Sequence, residues 1–159
     1  MEHVLAFLIC IFIVIVFGLF SVFAVRSMYV SQSSFLQEEA ILALRQLLES
    51  PLNETKRPPT IGIAVKGHPY MINMTAVHRL KEAVLKTERD YNANKTGLIS
   101  GDDDFRIILY NGTNYIILGK NMTRSRVTSV NGYAFCPPES DPFCPPNGNV
   151  TVRVVVTGD

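Results

Sequence analysis

From Val4 to Val25 the chain reads VLAFLICIFIVIVFGLFSVFAV, apolar on every side and broken only by Cys10, Gly18 and Ser21. A helix of about 22 residues rises roughly 33 Å, enough to cross a hydrocarbon core. After Arg26 the pattern changes character without breaking. Leu36, Ala40, Ala43, Leu44, Leu47 and Leu48 fall at helical spacing, with Gln37, Glu38, Glu39, Arg45, Gln46 and Glu49 largely opposite. The pattern predicts one helix from about residue 4 to Ser50, roughly 70 Å long, apolar all round at first and then striped. Pro51 stops it.

Beyond the polar, Pro-rich connection PLNETKRPPT (residues 51–60) the period shortens. Ile61–Val65 reads as a strand, His68-Pro69 as a turn, and Tyr70–Ile72 as a short return strand. Thr75 to about Asp90 reads as one helix with Val77, Leu80 and Val84 inward, capped by Asn73 or Thr75. Phe105–Leu118 reads as a hairpin closed by Asn111-Gly112 in a type I′ turn. Both of its faces are largely apolar, which suits strands covered on two sides. Arg126–Phe135 is a further strand. In the last one Val150, Val152, Val154 and Val156 alternate with Thr151 and Arg153, so one face is wet.

The fold class expected is α+β: a long N-terminal apolar-then-amphipathic helix and a small antiparallel β-rich head with one further helix. Residues 1–50 form the helical part and 51–159 the head. A secretory signal peptide fits the apolar run less well, because Met1-Glu2-His3 lacks a basic residue and the run exceeds the usual length.

Six acceptor patterns for N-linked sugar, at Asn53, Asn73, Asn94, Asn111, Asn121 and Asn149, each end in Thr and contain no Pro. Together they imply a glycoprotein whose residues after about 50 lie outside the cell and carry N-linked glycans. In that setting Cys136 and Cys144, flanking CPPESDPFC, read as a disulfide. Asp102, Asp103 and Asp104 could offer oxygens to calcium, but their spacing matches no EF-hand and a solvated turn is the simpler reading. No metal and no cofactor is expected. His3, His68 and His78 have no partner that sequence singles out, and there is no P-loop, dinucleotide turn or HExxH, so no catalytic residue is expected and the chain is not read as an enzyme. The net charge of +1, without a Lys/Arg cluster, argues against nucleic acid as a partner.

The helix ending at LLESP, the IGIAV strand, the TAVHRLKEAV helix and the FRIILYNGTNYIILG hairpin follow an apolar N-terminal helix. This arrangement resembles the lollipop of archaeal type IV pilin-like, or pseudopilin-like, surface proteins. The resemblance implies membrane residence before assembly, then self-association of N-terminal helices into a filament core with glycosylated heads outside. It also implies a role for Glu2, as the acidic residue near the N-terminus that pairs with a neighbouring subunit, and for Ile13, Phe17 and Phe20 in the helix bundle. Two readings follow. One is a major or minor structural subunit of an extracellular pilus-like filament. The other is a bitopic surface glycoprotein, anchored through the N-terminal helix, that binds a partner without polymerising.

Overall fold

The computed structural model describes residues 11–27, 34–100, 103–122 and 126–158 in full, and residues 2–10 and 28–33 as helical backbone alone. The chain divides into two compact units, Met1–Phe35 and Leu36–Asp159. Helix α1 (Glu2–Glu49) begins in the first and ends in the second.

The first unit corrects the expected location. The sequence expectation reached spanning length only by counting Val4–Cys10, whose side chains lie outside the described residues. Among the described residues no helix is long and apolar enough to cross a membrane, so anchoring through the N-terminal helix is not supported.

In the second unit the C-terminal part of α1 packs by its stripe. Leu36, Ala40, Ala43, Leu44, Leu47 and Leu48 are all buried. Ser50 then ends the helix, and its carbonyl accepts from the Ala64 N–H at 3.1 Å while Leu47 accepts from Ile63 at 2.9 Å. Gly62 makes this approach possible: a Cβ there would sit 1.9 Å from the Ser50 carbonyl oxygen. The backbone is therefore committed to the helix end over Ile61–Ile63, and only Ala64–Val65 forms β1 of the longer strand expected.

The remaining strands are β2 (His68–Ile72), β3 (Asp104–Tyr110), β4 (Tyr115–Gly119), β5 (Arg126–Phe135) and β6 (Asn149–Gly158). They form one six-stranded sheet in the order β1-β2-β5-β6-β3-β4. Here the expected fold class fails. The sheet is mixed rather than antiparallel, because β2 runs parallel to β5 through Met71 and Phe135. The β1–β2 pair is itself antiparallel, and Ala64 of β1 is tied to the helix end through the Ser50 carbonyl.

The single further helix is also replaced by four short helical segments: α2 (Met74–Arg79), a π turn (Leu80–Val84), α3 (Glu88–Asn94) and a 3-10 turn (Lys95–Gly97). Asn73 caps α2 by accepting from the Ala76 N–H. Thr87 starts α3 afresh: its Oγ1 accepts from the Asp90 N–H at 3.1 Å and donates to the Asp90 carboxylate at 2.7 Å.

The core lies on one face of the sheet. Phe105, Ile107 and Leu109 pair with Val156, Val154 and Val152, and all six side chains are fully buried. They join the helical stripe, Val77, Leu80 and Tyr91 in one apolar cluster. Burying each large member contributes about 1.5–3 kcal/mol relative to exposure. The hairpin differs from expectation in its turn and in its second face. Asn111–Asn114 form a four-residue loop between the paired Tyr110 and Tyr115. Asn111 Oδ1 accepts from the N–H groups of both Thr113 and Asn114, a side-chain turn that the Asn-Gly pair alone does not specify. The face carrying Tyr110, Tyr115 and Ile117 stays open.

Candidate functional site

Between Ile11 and Val25, twelve large apolar side chains are exposed, from 40% at Ile11 to 74% at Phe20 and Phe23. Ile13, Phe17 and Phe20 stand at i, i+4 and i+7, along one side of the helix, so the three predicted assembly positions share a face. The side chain of Glu2, the fourth, lies outside the described residues. Soluble monomers rarely leave so long a continuous apolar surface uncovered.

The sugar acceptors fall into two groups by what their amide nitrogens do. Asn94 Nδ2 donates to the carbonyls of Asp90 at 2.7 Å and Val84 at 3.3 Å, at the end of α3. Asn111 Nδ2 donates to the Phe143 carbonyl at 2.7 Å. Both side chains are half-buried and engaged. At Asn53, Oδ1 receives the N–H and Oγ1 of Thr55, and at Asn121 Oδ1 receives Arg106 Nη2. Asn73 uses Oδ1 as the α2 cap. Asn121 and Asn149 are exposed, while Thr123 of the Asn121 pattern lies outside the described residues.

Cys136 and Cys144 form a disulfide with Cα atoms 5.4 Å apart. The loop they close is pinned to α2 by an interaction that the sequence did not signal: His78 Nε2 lies 2.7 Å from Asp141 Oδ2. Burial pushes the Asp141 carboxyl up, but the His78 hydrogen bond, the Phe143 N–H on Oδ1 and the His78 charge together outweigh it. The group therefore sits below its ordinary value.

Glu39 is the second residue missed. The helical pattern put it on the polar side, yet it is buried. Its Oε1 accepts from both the N–H and the hydroxyl of Ser100 at 2.7 Å, and Oε2 is buried without a hydrogen-bond partner among the described residues. It lines a groove of about 520 Å³ with Leu42, Gln46 and Ile99. Of the acidic run, Asp103 and Asp104 are described and Asp102 is not. No group of three or more His, Cys, Asp or Glu side chains among the described residues is arranged to hold a metal.

Comparison with protein-family models, with curated proteins and with solved structures finds no match. The functional reading therefore rests on this chain's own surfaces.

Proposed function

We propose that this chain is a structural subunit of a pilus-like filament, self-associating through the apolar helix face between Ile11 and Val25 and presenting glycosylated heads outward. One observation carries the reading: the twelve exposed apolar side chains of that segment. An apolar helix can be covered by lipid or by copies of itself, since both satisfy the same surface. With no membrane-crossing helix among the described residues, copies of the chain are the cover this reading favours. Copies that meet through different sides of that helix make a heterologous, head-to-tail contact, which extends into a fibre where it does not close. The six acceptor asparagines, all in Leu36–Asp159, support the glycosylated character of the heads.

The test is electron microscopy of material sheared from native cells, with this chain located by peptide mapping. Filaments containing the chain, with the apolar segment protected from protease, are the expected result. A native chain recovered only as a monomer, with that segment accessible, removes the proposal.

A further inference from the structure

The open face of the sheet carries a rank of aromatic side chains beside a sugar acceptor. Across β5, β6, β3 and β4 the register aligns Tyr133, Thr151, Tyr110 and Tyr115. The adjoining rank pairs Phe135 with Asn149. Residues directly opposite on antiparallel strands point to the same face, with Cβ atoms about 4.5–5.5 Å apart and diagonal neighbours about 7–8 Å apart. Asn149 is thus opposite Phe135 and diagonal to Tyr133, so both lie within reach of the first sugar rings of a glycan on Asn149. Tyr133 is 76% exposed and Phe135 44%. Gly148, at φ +70°, leaves room for the Phe135 ring, because a Cβ there would lie 2.1 Å from its Cε2 atom. The ring is therefore held against the backbone immediately before Asn149.

We infer that the glycan on Asn149 folds back over this face, stacking on Phe135 and Tyr133, so that the exposed aromatic rank is the seat of the chain's own sugar. The inference rests on the glycosylation in the proposed function. Attachment joins Asn149 Nδ2 to the anomeric carbon of an activated sugar-phosphate donor, releasing the phosphate group and one proton. A sugar ring has an apolar C–H face and a hydroxyl rim. Aromatic rings offer an electron-rich face to the former. The surrounding side chains suit the latter: Thr151 lies between Tyr133 and Tyr110, and Arg153 Nε donates to Asn131 Oδ1 at 2.7 Å in the next rank. That mixture of aromatic and hydrogen-bonding groups distinguishes this face from residues 11–25, where Ser21 is the one polar side chain, and matches a saccharide better than a second protein surface.

The experiment uses the full glycosylated chain from its native host. Glycopeptide mass spectrometry measures occupancy at Asn149, and iodination measures the accessibility of Tyr133, with Tyr70 as internal reference. Asn149→Gln and Thr151→Ala each abolish the acceptor pattern by a different residue, which guards against a folding defect in either one. Tyr133 should react several-fold faster in both variants than in the parent, relative to Tyr70. An Asn149 found bare in native protein overturns the inference together with the glycosylation reading at this site. An occupied Asn149 with equal Tyr133 reactivity in parent and variants overturns the inference alone. Protection that persists in both variants means another molecule covers the face, and overturns it as well.

Discussion

The hydroxyl of Tyr91 closes both backbone hydrogen bonds of Phe105, accepting from its N–H at 2.6 Å and donating to its carbonyl at 3.2 Å. The β3–β4 register stops at Arg106 and Gly119, one residue short of Phe105. A side chain from α3 thus replaces the missing strand, while its ring packs on Phe105 with centroids 5.1 Å apart.

Tyr91→Phe keeps the ring and removes the hydroxyl, leaving a buried N–H and a buried carbonyl unpaired. Each such group costs about 1–3 kcal/mol, so the variant should lose at least about 2 kcal/mol in urea unfolding of the folded head. A loss below about 0.5 kcal/mol would show that water or a shifted strand end satisfies Phe105 instead.

Acid should loosen the disulfide loop. Asp141 is held below its ordinary value in the folded chain. A carboxylate so depressed contributes stability that is complete above its unfolded value, near pH 4, and is lost as pH falls through its folded value. Asp141→Asn should cost about 1 kcal/mol at neutral pH and flatten the decline in stability below about pH 4. Thermal melts of both proteins from neutral pH down to about pH 2 check this; parallel curves for parent and variant would rule out the carboxylate as the cause.

Occupancy of the six acceptors should be uneven. Asn94 and Asn111 already commit their amide nitrogens to backbone carbonyls, so sugar transfer there must break those bonds or precede folding. Asn121 and Asn149 are exposed, and among the described residues neither amide nitrogen is committed to a backbone carbonyl. Quantitative glycopeptide analysis should find higher occupancy at the latter pair. Full and equal occupancy at all six would mean that transfer happens before the head folds.

How legible this molecule was depends on the range of the interaction. The valines of β6 announced their face because a period of two residues is a local signal, and all four are buried. The α1 stripe was legible for the same reason. Thr87 with Asp90 three residues on is a readable start signal, and the apolar spacing of Val77, Leu80 and Val84 ends before it, so nothing in that spacing carries the first helix across Thr87. Other features had no local sign at all. The parallel β2–β5 contact joins Met71 to Phe135 across most of the head, and His78 meets Asp141 across 63 residues of chain. Glu39 sits at the edge of the stripe, three residues from Leu36 and four from Ala43, but its polar side chain gives no local sign of the Ser100 N–H and hydroxyl that meet it in its buried place. The uncovered second face of the hairpin was equally hidden, because apolar content does not say which partner covers it.

Assembly offers the sharpest test of the proposed function. Ile13 is 51% exposed and Phe17 73%, one turn apart on the same helix side. If copies of the chain cover that side, Ile13→Lys or Phe17→Lys places an ammonium in an apolar contact without a partner, a cost of several kcal/mol at every subunit interface. Repeated along a growing filament, that cost should abolish assembly. The core of the second unit begins at Leu36, so either variant should still fold its head and keep the Cys136–Cys144 disulfide. Sedimentation and negative-stain microscopy of parent and variants, with near-ultraviolet circular dichroism for the head, separate the two effects. The expected outcome is filaments from the parent and dispersed, folded subunits from both variants. Filaments of normal length from the lysine variants would show that the apolar helix face is not the surface that holds subunits together.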